Sequence, residues 1–208
     1  MNNTSYSSDN EQDTIKKTDI YKYKFIKPMD KIKYKPDHLI YHKLVKEIDL
    51  INIKPQRAGV IMYCMHDNKI YYGLGIDTVS GELTDFGGGI SYKEKRDKNV
   101  ILGALREYDE ETLWILGISN YEDVVNCKAI YNHNNLIIFK NISLDPYTVR
   151  NMFLVEYNKM LEKRILPEVC DIKWMNVTEF KECISKRGCM FHRVQCFLQQ
   201  AGDFLRFL

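Results

Sequence analysis

Between Asp85 and Thr112 runs the segment DFGGGISYKEKRDKNVILGALREYDEET. At about 100° per residue, its second half puts Ile101, Ala104, Leu105, Tyr108 and Thr112 in one apolar stripe of a helix. Glu107, Glu110 and Glu111 fall on the other side, three and four residues apart, so their carboxylates can converge on one face of one turn. Three like charges that close repel, and a hard divalent cation would neutralise them. Carboxylate oxygens suit Mg²⁺ or Mn²⁺, which keep several waters and take a substrate phosphate as a further ligand. Arg106 stands next to Glu107 and four residues before Glu110, where it can orient a carboxylate and keep it ionised. Gly87, Gly88 and Gly89 are expected to turn the chain sharply out of a strand, with torsions closed to other residues. They also let backbone N–H groups approach an anion. A strand, a glycine turn, a loop and an acidic helix would together hold a metal-bound diphosphate.

These residues need a frame. Ala58 to Met65 and Lys69 to Ile76 are apolar, β-branched and aromatic, which predicts a β-hairpin with its turn at Met65-His66-Asp67-Asn68. A short strand is expected from Glu82 to Phe86, then a charged loop from Ser91 to Asn99 and a helix from Val100 to about Trp114. Val125–Tyr131 and Leu136–Asn141 read as a second hairpin. Asp145 as N-cap and Pro146 in the first turn open a helix that runs to about Lys163. Val169–Val177 reads as a strand, Thr178 as the cap of a short helix, and Met190–Leu208 as an amphipathic helix. Upstream, Tyr21–Ile26 alternates like a strand, and His38–Ile51 has helical spacing at Leu39, Tyr41, Leu44, Val45 and Ile48. The sum predicts an α/β (α+β) fold: a mixed β-sheet between helices, with residues 1–19 a disordered tail, 20–56 an N-terminal extension and 57–208 the main domain.

At 208 residues, 45% hydrophobic and 28% charged, the chain can bury a core without disulfides or structural metal. A formal charge of +2 is too even to imply nucleic-acid binding by bulk charge. No apolar run approaches a membrane span, and the first twenty residues lack the apolar core of a signal peptide. A cytoplasmic, reducing location is therefore expected, with the six cysteines as thiols. Cys183, Cys189, His192 and Cys196 have spacings that zinc could use, but buried thiols are the commoner explanation of such a pattern.

The glycine–acid segment resembles the Nudix box, G-x5-E-x7-R-E-U-x-E-E-x-G-U, where U is a bulky aliphatic residue. Gly88 and Glu94 match the first glycine and glutamate, and Arg106, Glu107, Glu110 and Glu111 match the R-E-U-x-E-E core with Tyr108 at U. Leu166–Phe180 resembles the usual C-terminal strand and capping helix, so the resemblance spans roughly Arg57 to Leu208. Two departures stand out. Eleven residues, not seven, separate Glu94 from Arg106, which lengthens the loop around Lys95–Lys98. Leu113 replaces the pattern's glycine, so the helix is expected to run on past it.

The resemblance implies a Nudix-type pyrophosphohydrolase acting on a nucleoside diphosphate linked to another group. It implies Mg²⁺ or Mn²⁺ on Glu107, Glu110 and Glu111, with Glu168 a candidate general base and Gly87–Gly89 at the substrate. The arrays of NADH-, coenzyme A- and ADP-ribose-cleaving relatives are not found. Nucleotide derivatives and capped RNA remain as substrates. The lysine- and asparagine-rich composition, the lengthened box and the N-terminal extension are compatible with a viral, decapping member working in the host cytoplasm or virion. The Tyr21–Lys35 segment interleaves lysines with aromatics and is a candidate RNA contact, or else an edge strand with solvated lysines. A different class is also open: a Nudix-like module that binds a nucleotide or RNA without turnover. Retention of every core acid argues against that, because a binder need not keep a repulsive cluster. The oligomeric state is not legible.

Overall fold

The computed structural model describes residues 40–93 and 96–202. The expectations for the tail, for Tyr21–Ile26, for the lysine–aromatic segment, for Glu94 and for the last six residues lie outside that range.

Arg57–His66 (β2) and Lys69–Asp77 (β3) form the expected antiparallel hairpin. Its turn is tighter than the tetrapeptide predicted. Asp67 and Asn68 alone make the connection, with φ of 48° and 57°, a left-handed pair that Asp and Asn tolerate. Ahead of it, Tyr41–Leu44 (β1) is a strand where helical spacing had suggested a helix. It pairs antiparallel with Lys128–Tyr131 (β6), and the Tyr41 ring stacks on Tyr131 at 5.4 Å. An open sheet edge, remote in sequence, outweighs the local periodicity here. A short 3₁₀ turn, Val45–Glu47, follows, and Val45 is fully buried in the domain core.

The strand expected at Glu82–Phe86 is two strands, Leu83–Thr84 (β4) and Phe86–Gly89 (β5), divided at Asp85. Asn135–Asn141 (β7) and Val169–Asn176 (β8) complete the strands. Together the described strands form one mixed eight-stranded sheet, ordered β1-β6-β7-β2-β3-β4. The β2–β7 pair is parallel and the others are antiparallel. β2 divides its partners: Met62–His66 pair with β3, and Arg57–Val60 pair with β5. β8 adds to β3.

Both faces of the sheet are covered, and the alternation along each strand shows it. Ala58, Val60, Met62 and Cys64 of β2, with Leu136 and Ile138 of β7, face Val100–Glu111 (α1) and Pro146–Glu162 (α2) in one core cluster. Ile61, Ile137 and Phe139 face Val177–Ser185 (α3) and His192–Gln200 (α4) in the other. The predicted stripe of α1 is confirmed, since Ile101, Ala104, Leu105, Tyr108 and Thr112 are all buried.

Helix ends follow local chemistry. Asp145 caps α2 as expected, accepting from the N–H groups of Tyr147 and Thr148 at 3.0 Å each. For α3 the cap is Asn176 rather than Thr178: its Oδ1 accepts from Thr178 and Glu179 N–H, and Glu179 answers on the Asn176 N–H. α1 does not run on. It ends at Glu111, and Leu113 and Trp114 are both left-handed, with φ of 56° and 54°. Trp114 N–H reaches back to the Asp109 carbonyl and Leu113 N–H to that of Glu110, the bonding of a glycine-type cap made without glycine. Among the described residues α4 starts at His192, two residues after the expected Met190, and gives way to a turn at 201–202.

The cysteines depart from expectation too. Cys183 of α3 and Cys189 are joined by a disulfide, with their Cα atoms 5.4 Å apart. Cys64, Cys127, Cys170 and Cys196 are free. With two of the three candidate sulfurs bonded to each other, the zinc reading of Cys183, Cys189, His192 and Cys196 fails, and among the described residues no three His, Cys, Asp or Glu are gathered closely enough to stand as a formed metal cluster. No helix among the described residues is long and apolar enough to cross a membrane.

Candidate active site

The site is built where α1 crosses β5. Asn99 starts the helix, its side chain accepting from Leu102 N–H at 2.9 Å, and this fixes which face meets the strand. The apolar stripe docks α1 on the sheet, with Tyr108 edge-on to Phe86 at 5.9 Å. Glu107 and Glu111 are thereby pressed against the glycines of β5.

Those glycines do not make the sharp turn expected of them. Gly87, Gly88 and Gly89 are strand residues paired with Gly59, Ala58 and Arg57, and none has a positive φ. What they supply is room. A Cβ on Gly87 would run into the backbone of Ala58 and Gly59, and one on Gly88 would overlap the Glu107 carboxylate. At Gly89 nothing lies within 4 Å of such an atom. The Gly87 N–H donates to Glu111 Oε2 at 2.8 Å, so that amide serves a protein carboxylate.

Glu107, Glu110, Glu111 and Glu168 line one cleft of about 210 Å³. Leu113, Trp114, Met160, Leu166 and Pro167 supply its apolar wall. Four of the glutamates singled out in the sequence are therefore brought together, although Glu168, just ahead of β8, is remote in the chain. Burial, with repulsion from Asp85 and Glu107, pushes the Glu111 carboxyl up to about 9, against the pull of the Gly87 N–H and Arg57. Burial also raises Glu107; Arg106 opposes this, while Glu110 and Glu168 add to it.

Arg106 is the organiser expected from its spacing, with one partner the sequence did not suggest. Its guanidinium holds Glu107 at 2.8 Å and Glu110 at 3.1 Å, and grips both oxygens of Asp97 at 2.9 and 3.0 Å. The Arg106 hydrogen bonds hold the Asp97 carboxyl below its ordinary range. Arg96, from the same loop, takes the other Glu110 oxygen at 2.7 Å. Asp97 is nearly buried and accepts the Ser91 N–H at 2.8 Å, which folds the lengthened loop back onto the helix. Beneath the site, Arg57 lies on Asp85 through two bonds of 2.6 and 2.8 Å and on the Gly87 carbonyl at 2.9 Å. Sequence reasoning missed this pair; an Asp two residues before a glycine run and an Arg opening the facing strand were its only signs.

Glu107, Glu110 and Glu111 therefore share a cleft without being drawn into a tight cluster. Two arginines turn Glu110 aside, and Gly87 holds Glu111. The donor set still has the chemistry of a hard-cation site: four carboxylates, two of them raised by burial and mutual repulsion, beside an open cleft.

No family model matches this chain, and no curated protein does. Among solved structures, a C. elegans Ap4A hydrolase binary complex is similar at 14% identity and a TM-score of 0.42, over 74% of this chain and 100% of that one. The NUDIX domain of Shewanella oneidensis NrtR, complexed with ADP ribose, is similar at 14% identity and 0.42, over 76% and 94%. A further C. elegans Ap4A hydrolase structure stands at 13% and 0.38, over 72% and 96%. At that level of likeness the functional argument rests on the site itself.

Proposed function

We propose that this chain is a Nudix-type pyrophosphohydrolase that cleaves a nucleoside diphosphate linked to another group, either a nucleotide derivative or the capped end of an RNA. The observation that carries the reading is the meeting of Glu107, Glu110, Glu111 and Glu168 in one cleft beside a glycine strand. Glu107, Glu110 and Glu111 would hold Mg²⁺ or Mn²⁺. When bound, such an ion neutralises charge on the phosphate oxygens and makes water more acidic.

The chain's own residues do the rest. Arg106 fixes the direction of Glu107 and Glu110, and Asp97 fixes Arg106. Glu168 lines the cleft with them and is the candidate acceptor of the proton from the attacking water. Gly87 and Gly88 give their side-chain space to the β2 backbone and to the Glu107 carboxylate. The apolar wall of Leu113, Trp114, Met160 and Leu166 offers a surface to the group beyond the phosphates.

A second reading has its own observation. Glu110 is held on both oxygens by Arg96 and Arg106, as in a module that binds a nucleotide or RNA and never turns it over. One experiment decides between them: incubation with Mg²⁺ and Mn²⁺ across a panel of nucleotides, dinucleoside polyphosphates and capped RNA, with products identified by mass. Cleavage is expected, and Glu110→Gln and Glu111→Gln are expected to lose it by orders of magnitude while remaining folded. Binding without cleavage across the panel overturns the hydrolase and favours the module.

A further inference from the structure

At the other end of α2 a separate cleft of about 540 Å³ opens between that helix, β3 and β8. Tyr147 lines it, whereas Met160 lines the glutamate cleft. Thirteen residues of helix put the two about 20 Å apart. The volume lies within the roughly 300–1,000 Å³ common for small-molecule sites.

The lining is aromatic and basic. His66 meets Tyr71 at 6.2 Å and Tyr147 at 5.8 Å, both edge-on, at the mouth of the β2–β3 hairpin. Tyr147 is 71% exposed, so its ring is not packing the core. Trp174 lies flat over Gly73 of the neighbouring strand, where any Cβ would come within 2.9 Å of the indole. The indole N–H is buried and, among the described residues, has no acceptor. That atom is closed to solvent, so Trp174 offers the cleft ring carbons and no donor. Arg150 is matched by Asp171 through bonds of 2.9 and 2.6 Å, which leaves Lys173 as the surplus positive charge of the cleft.

We propose that this cleft is a second binding site and that its ligand is a nucleotide. The base stacks on the exposed Tyr147 ring beside the Trp174 indole, and the phosphate lies toward Lys173 and Arg150. Rings with cations beside them take any base by its π face. The nucleotide is either free or one unit of a single-stranded RNA. The site stands apart from the glutamates, so it does not depend on hydrolysis.

The chain has two tryptophans, so Trp114→Phe leaves Trp174 as the only indole reporter. Its fluorescence is titrated with AMP and GMP, with ribose 5-phosphate, and with a short single-stranded RNA. Saturable quenching by the nucleotides, and none by the base-free sugar phosphate, is expected. Tyr147→Ala, at a surface position, should weaken it about tenfold. Lys173→Gln should weaken it about threefold, and more at low salt. An RNA that binds more tightly than either mononucleotide identifies the strand as the source, and equal affinities identify the free nucleotide. Absence of quenching by both, equal quenching by ribose 5-phosphate, or quenching untouched by both substitutions overturns the site. Because binding is read without turnover, a failure here is distinct from a failure of the hydrolase.

Discussion

Gly88 and Glu107 share one space: the carboxylate lies where a side chain on Gly88 would begin. The consequence separates three neighbouring glycines that look alike in sequence. Gly88→Ala meets only the mobile end of Glu107, so stability should change by less than about 1 kcal/mol while hydrolysis falls about 100-fold as Glu107 is displaced. Gly87→Ala meets the backbone of Ala58 and Gly59, which cannot yield, and should destabilise the fold by about 2 kcal/mol or more. Gly89→Ala meets nothing and should be silent in both assays. Thermal melts and steady-state kinetics of the three variants check the ordering. A Gly88→Ala protein of full activity would refute the placement of Glu107.

Asp97 acts through Arg106 and is a positioning residue. Its removal leaves the guanidinium to Glu107, Glu110 and the Gly89 carbonyl, and kcat/KM should fall by about 10–100-fold with the fold kept. Asp97→Glu should recover part of the loss. Arg96 is the control. Its pair with Glu110 has a half-exposed guanidinium, and such pairs contribute little, so Arg96→Ala should change activity by no more than about threefold. If Arg96→Ala instead abolishes function, the Arg96–Glu110 pair is part of the site.

What could be read in advance depended on whether the signal was local. The α1 stripe, the Asp145–Pro146 start of α2 and the hairpins followed from spacing and capping within a few residues. The meeting of Glu168 with the other glutamates came through the resemblance, not through any spacing. Tyr41–Leu44 escaped because its partner, β6, lies far along the chain, and the same residues fit a helical wheel. The glycine run announced that side chains were excluded. It did not say whether torsion or space was the reason, and space proved to be the reason. Asp97 was hidden among the charges of a loop whose alignment pointed to Glu94. Leu113 and Trp114 adopt a conformation that costs non-glycine residues about 1–2 kcal/mol each, so only the fold shows it.

The α2 cap gives a pH signature away from the site. Hydrogen bonds from Thr148, side chain first and then backbone, hold Asp145 below its ordinary value of 3.8. A carboxyl depressed on folding stabilises the fold at pH above its unfolded value, and that contribution fades as the pH drops through the folded value. Asp145→Ala should therefore lower Tm by roughly 2–4 °C at neutral pH. The gap from the native chain should hold down to about pH 4 and close below it. Melts of both proteins across that range test this; a gap that widens in acid reverses the assigned direction.

The Cys183–Cys189 bond closes a six-residue separation and ties α3 to the segment that meets β4, where Leu83 N–H donates to the Cys189 carbonyl at 3.3 Å and Phe191 N–H to that of Leu83 at 2.7 Å. So short a loop limits what the crosslink can remove from the unfolded chain, and about 2 kcal/mol is the expected contribution. Cys183→Ser, Cys189→Ser and the double variant should each lose about the same stability, roughly 4–8 °C in Tm. Reductant should lower the native Tm to theirs and leave theirs unmoved. The glutamate cleft draws no residue from this corner, so kcat should be unchanged in all three. Native protein whose melt ignores reductant while both thiols react with a thiol reagent would show that the pair is not bonded in solution.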